Sequence, residues 1–574
     1  MTYHDLYVFA PAILFLLVCW FVTEWLAWTR SHRAEATVDR TGWSSFSEPP
    51  PSGSASAALS SSAASQRLDR LPWTPFHTRL LLKLGASWAV IGFQVSLDLI
   101  FRVSQVQIKD LGSALTFYLL ATAFGAVAFG RLADLLGRRF IYAAGFALCA
   151  LGATLTSLSG NEWTLALFRF VTGLGVGAGY VATNTLMQEF APARVRGWAC
   201  LAVNASFWLG SAAVALGLAL SLFQSPGDPS SPAGWRVAAG IGAALCLIVL
   251  FFRRSIPESP RWLLTHSRVL EAERIVEEVE RSLPPGTVLD PVSEFVQLNP
   301  RPVRQTVREV WRIMWHRERG PTLLCFALMA LQSFFYNALF FGYDRLLSDS
   351  VDASLIGWHM LAIALGNFSG PVVLGFLTDR KDGRRRTMAG TFLASGVLLT
   401  LTAVLFASWR ANNFDPAYVT VAWTVIFFFA STAASSAYLT TGETFPTQIR
   451  GLAFGLVLAA SMLAGVLGRF VFVWDVNFAQ LFAAEALVIA AIMVMVAFAV
   501  APVTAVAPVP REGDSIPDPA RQSPVRSGDF ARSNGAERRR RRPRSFLRLA
   551  SFLRIPDWLL PDRSGKAVED MVMV

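Results

Sequence analysis

Apolar runs of roughly 20 residues, long enough to cross a hydrocarbon core as helix, alternate with short polar turns along most of this chain. The first run is Leu6 to Trp28, and residues rich in Ser, Ala and Pro follow it. The pattern then predicts spans at 80–104, 112–130, 140–158, 163–187, 197–223 and 235–253. Residues 254–319 are too polar to span. Within them, Arg268 to Arg281 has apolar residues at helical spacing between charged flanks, which predicts a short surface helix. Six more spans are expected at 321–346, 353–377, 387–408, 417–441, 452–471 and 477–501.

The expected fold is an all-α membrane protein, a twelve-helix bundle of two six-helix halves plus one extra N-terminal transmembrane helix. Its expected parts are the extra helix (1–40), a Ser/Ala/Pro-rich flexible linker (41–79), the N-terminal half (80–253), a cytoplasmic central loop (254–319), the C-terminal half (320–501) and a basic cytoplasmic tail (502–574). No Lys or Arg precedes Leu6 and no small-residue cleavage site follows Trp28. The first run therefore reads as an uncleaved anchor with its N-terminus outside.

Composition agrees with a membrane location. Of 574 residues only 16% are charged, against about 25% in soluble domains. The net charge of +11 would point to nucleic acid on a soluble protein. Here the Arg residues sit in alternate short loops and in one tail, which is the positive-inside distribution, and no nucleic-acid partner is expected. The tail carries Glu537 to Arg544 (ERRRRRPR), then Phe546, Leu549, Phe552 and Leu553 at helical spacing. It reads either as an interfacial helix on anionic membrane lipid or as a solvated tail whose Arg run enforces the inside location. The five Cys fall in apolar runs with no paired spacing and read as core residues, with no metal site implied. No zinc-protease, phosphate-loop or nucleophile-elbow motif is present, so neither an enzyme nor a cofactor is expected.

The polar turns repeat. Gly130 to Arg139 reads GRLADLLGRR, and Gly375 to Arg386 reads GFLTDRKDGRRR. In each, an Asp follows a Gly by four residues and Gly-Arg-Arg comes shortly after. Such charge density belongs in a turn between spans, where the Asp can accept from helix N-terminal amides or from Arg. A second pair, EFAPARVRG from Glu189 and ETFPTQIRG from Glu443, fits E-x-x-P-x-x-x-R-G. A polar pattern recurring at about half the apolar region marks a duplicated bundle of the kind common in secondary transporters.

Together the four motifs resemble the major facilitator superfamily over about residues 80–501. Arg169-Phe170 followed by GLGVGAG, and PESPR at Pro257 to Arg261, resemble the sugar porter and metabolite–proton symporter branch. The resemblance implies a gating charge network of Asp134, Arg138, Arg139, Glu189, Arg196, Asp379, Arg384, Arg385, Glu443 and Arg450 on one membrane face. The alternative is loop charge that only sets topology. The resemblance also implies a midplane substrate site at Gln332, Tyr336, Asn337, Asn204 and Tyr438, the alternative being interhelical hydrogen bonding. Leu331 stands in place of one Gln of the sugar porters' pair, and Tyr438 in place of their Trp.

Asp98 lies six residues before the expected outer end of one span, and Arg169 six after the expected outer start of another. At 1.5 Å per residue both sit about 9 Å deep, so they can pair. In the resembling symporters an Asp and an Arg on these helices couple substrate to protons. The alternative is a static ion pair. The expected function is secondary active transport of a small polar metabolite, a sugar or organic acid, with proton symport and alternating access, in the plasma or inner membrane. The rivals are an uncoupled facilitator and a non-transporting membrane sensor or receptor.

Overall fold

The structure is a computed structural model, and it describes residues 61–62, 64–103, 111–223, 233–283, 287, 289, 296–297, 306–317, 319–348, 353–380, 383–409 and 416–470. The first apolar run, the last expected span at 477–501 and the basic tail lie outside the described residues.

The N-terminal helices are α1 (Ala64–Arg70), α2 (Pro75–Val103), α3 (Leu111–Leu136), α4 (Arg138–Ser157), α5 (Glu162–Phe190), α6 (Arg196–Ala205), α7 (Phe207–Ala219) and α8 (Ala233–Phe251). Three short helices follow: α9 (Pro260–Thr265), α10 (Val269–Arg281) and α11 (Val307–Arg312). The C-terminal set is α12 (Arg319–Ser348), α13 (Ala353–Leu374), α14 (Gly383–Trp409), α15 (Pro416–Thr444) and α16 (Arg450–Phe470). Among the described residues, nine helical segments are long and apolar enough to cross a membrane. With α12 and α14 they account for each of the eleven spans expected between residues 80 and 471, as far as residue 470. Helix is what an apolar run must form in lipid, because its backbone groups find no water there.

Local chemistry sets the ends. Asn161 caps α5: its Oδ1 accepts from the Thr164 amide (2.9 Å), while Thr164 Oγ1 accepts from the Asn161 amide (3.2 Å). Gly137 separates α3 from α4 at φ 103°, a backbone that other residues rarely adopt. The expected span at 197–223 is two helices. Ser206 divides them, and its hydroxyl donates to the Gly85 carbonyl of α2 at 2.7 Å. At that crossing a Cβ on Gly92 or Gly210 would strike the backbone of the facing helix.

Small residues set how closely the helices pack. Gly173 and Gly177 face the backbone of α3, whereas Gly175 faces α4 at Cys149 and Gly145. Glycine at every second position thus serves two neighbours of α5. Cys149, Cys200, Cys246 and Cys325 are buried and free.

The linker reading changes where the chain approaches the bundle. Residues 64–70 form a helix, and Pro75 already begins α2. Ala64, Leu68 and Leu71 are buried against Trp262 and Leu263 of α9 and Val276 and Val279 of α10. Burying each Leu is worth about 1.5–3 kcal/mol. On the polar side Arg67 pairs with Glu273 and Glu280 of α10. The helix expected near Arg268 to Arg281 is present as α10, and its apolar stripe holds α1.

Candidate functional site

The Arg-rich face carries a reciprocal exchange between the two halves. Asp134, at the end of α3, accepts from the Gly451 and Leu452 amides at the start of α16, both at 2.9 Å. Asp379 accepts from the Gly197 and Trp198 amides at the start of α6, at 2.9 and 2.8 Å. Each carboxylate therefore sits on the positive N-terminal end of a helix in the opposite half. Burial pushes the Asp379 carboxyl up from its usual range, and the Trp198 and Gly197 amides oppose that shift.

Around these ties lie the expected charges. Arg138 is wholly buried and bonds Glu189 (3.2 Å), Asp134 (3.2 Å) and the Thr447 carbonyl across the halves (2.9 Å). Arg450 reaches Glu189 from the C-terminal half at 3.3 Å. Within that half Arg384 pairs with Glu443. Arg196, the counterpart of Arg450, pairs instead with Asp69 of α1, which also accepts from Arg261 at 2.7 Å. Burial pushes the Arg261 guanidinium down, and the neighbouring Arg196 adds to this. Two expected members fall outside the carboxylate network. The Arg139 side chain donates to the Arg253 carbonyl at 3.0 Å, and Arg385 is exposed.

Two acidic residues were not singled out from the sequence. Asp69 lies in a Ser/Ala-rich approach that looked unstructured. Glu258, inside PESPR, accepts from the Arg138 amide at 2.9 Å and the Arg139 amide at 3.2 Å, so it caps α4. Burial raises the Glu258 carboxyl, opposed by those amides and the Ser259 amide. The motif itself was the available signal.

Deeper between the helices is a cavity of about 140 Å³. Gln332, Tyr336, Asn337, Asn204 and Tyr438 all line it. Gln332 Nε2 donates to Ser461 Oγ at 3.3 Å, and the Tyr336 hydroxyl donates to Asn367 Oδ1 at 3.0 Å. A space of this size suits a small molecule rather than a peptide. Sequence reasoning missed Trp88, Tyr118, Tyr180 and Trp208, which also line it. An aromatic in an apolar span looks the same whether it faces lipid or a cavity.

The expected buried pair forms. Arg169 Nη2 lies 3.0 Å from Asp98 Oδ1, and Nη1 and Nη2 both donate to the Gln94 carbonyl. The guanidinium stands 4.3 Å over the Tyr118 ring. Tyr118 thus connects the ion pair to the cavity wall.

The family model for sugar (and other) transporters matches residues 84–509. The chain belongs to that family. It is 27% identical over 410 residues to the niacin transporter of Acinetobacter baylyi, covering 70% of this chain and 87% of the relative. It is 26% identical over 418 residues to an inner membrane metabolite transport protein of Escherichia coli, covering 71% and 87%. The solved proton:xylose symporter XylE shares its fold, at a TM-score of 0.58 and 16% identity over 74% of this chain and 94% of that one. This member of the sugar transporter family is a multi-pass membrane transporter of the sugar and metabolite class, and not an enzyme.

Proposed function

We propose that the protein is a proton-coupled symporter of a small uncharged metabolite, working by alternating access. The observation that carries this reading is the Asp98–Arg169 pair, buried beside a cavity wall that it touches through Tyr118. A carboxylate in a span is costly without a partner. Asp98 and Arg169 lie on α2 and α5 of the same half, so rocking the halves acts on the pair by opening and closing the cavity beside it, and proton uptake and release at Asp98 follow that access. Among the described residues no Asp, Glu, Lys, Arg or His borders the cavity, which favours an uncharged cargo over an organic acid. The Arg-rich face is cytoplasmic on this reading, and the closure seen there belongs to the outward-facing half of the cycle.

An uncharged cargo moving with a proton carries net charge across the bilayer. Proteoliposomes on a solid-supported membrane, exposed in turn to sugars and neutral ring compounds, should therefore give a transient current for the transported compound. Tracer uptake without current would identify a facilitator. Binding with neither current nor uptake would identify a sensor.

A further inference from the structure

We propose that the central cavity takes a flat, uncharged ring bearing one amide-type edge, and that it does not take hexoses. This rests on the transport reading above and narrows its substrate class.

The wall is largely aromatic. Trp88 and Tyr180 meet edge-on at 4.8 Å between ring centroids, and Tyr180 and Tyr438 lie within 16° of parallel at 6.3 Å. Trp208 and Tyr336 stack at 5.4 Å and 30° elsewhere on the same wall. Such surfaces offer ring faces and edges to a planar guest.

Much of the polar lining is already engaged. Gln332 bonds Ser461, Tyr336 bonds Asn367, and Asn337 Nδ2 donates to the Ser333 carbonyl at 2.9 Å. Thr122 Oγ1 donates to the Tyr118 carbonyl at 2.9 Å. Asn204 differs. It is 6% exposed, lines the cavity, and both its Nδ2 and its Oδ1 are buried without a partner. Buried amides without partners are uncommon and call for an explanation. A donor and an acceptor side by side match the acceptor and donor of a primary carboxamide or a lactam. The Tyr118 hydroxyl, also buried and unpartnered, is a further polar group on this wall. A hexose would bring about five hydroxyls, each both donor and acceptor. With Gln332, Tyr336, Asn337 and Thr122 already engaged, a hexose would depend on the serine hydroxyls of Ser96, Ser333, Ser431 and Ser435 beside a largely aromatic wall. A single amide edge asks for what Asn204 offers.

The test uses full-length protein in nanodiscs, titrated with benzamide, nicotinamide, benzoate, D-glucose and D-xylose. Calorimetry should show the two amides binding and the sugars and benzoate not. Asn204→Leu, close in volume but unable to hydrogen-bond, should weaken benzamide at least about tenfold. Asn204→Gln serves as a second variant that keeps the amide group, and should retain more affinity than Leu. Sugar or benzoate binding in preference to the amides overturns the proposal, as does no binding by either amide. Amide binding that is indifferent to Asn204→Leu in a variant with unchanged thermal stability overturns the assigned contact. Current recordings then separate the two readings. Amides that bind yet give neither current nor uptake leave the ring assignment standing and refute transport, whereas sugar-driven currents do the reverse.

Discussion

Asp69 holds Arg196 on the Arg-rich face, so the second repeat's bridge from Arg450 to Glu189 has no twin in the first. Glu443 occupies the place where that twin would end, and its Oε1 is buried without a partner. Asp69→Asn should release Arg196 toward Glu443 and over-stabilise the closed face. Initial uptake rates should fall severalfold with ligand affinity unchanged. In a Glu443→Gln background the same substitution should have much less effect on rate. Equal rate losses in both backgrounds would refute the competition.

The two helix-end carboxylates should weigh unequally. Asn at either site keeps one acceptor but removes the charge, and each charge-assisted bond is worth about 1.5–3 kcal/mol. Asp134 is 4% exposed, whereas Asp379 is half-buried. Asp134→Asn should therefore slow transport more than Asp379→Asn, with little loss of binding. Initial-rate uptake at matched expression checks the order, and wild-type rates in Asp134→Asn would make the exchange ornamental.

Gly130 and Gly451 meet where α3 crosses α16, and a Cβ on either would strike the other's carbonyl. Gly451→Val should wedge the halves apart beside Asp134. Reagents added from the Arg-rich side should then label a cysteine introduced into the cavity faster than in wild type. Unchanged labelling would mean that the contact is not part of closure.

Asp98→Asn should abolish uphill accumulation driven by a proton gradient while retaining exchange of cargo across the bilayer. The ion pair is lost, but the carboxamide keeps an acceptor for Arg169. Counterflow and gradient-driven uptake, measured on the same proteoliposomes, check this. Accumulation persisting in the mutant would remove Asp98 from the coupling role.

Much of this architecture was legible from residue order. The Asp98–Arg169 pair followed from depth arithmetic, because a charge in a span needs a partner at its own level. The repeated turns showed that Asp134 and Asp379 could accept helix-end amides. They did not show that each would serve a helix of the opposite half, since no local feature records which helix end lies across an interface. Asp69 was hidden for another reason. Ala64, Leu68 and Leu71 are too few to mark an amphipathic helix until α9 and α10 supply the surface they bury against. The aromatic wall was illegible too, because hydropathy does not separate a lipid-facing Trp from Trp88 or Trp208.

That late-arriving surface has a consequence for how the chain is made. Helix α1 emerges from the ribosome before the six spans that follow it, yet α10 ends only at Arg281. Throughout that interval Leu68 and Leu71 have no α9 or α10 to cover them, and Arg67 has neither Glu273 nor Glu280. The N-terminal half therefore finishes assembling only after its last span has been inserted, when the segment behind it folds back onto α1. A fragment cut at residue 253 would contain every span of that half, yet Leu68 would be left uncovered and Arg67 without its carboxylates on the aqueous side.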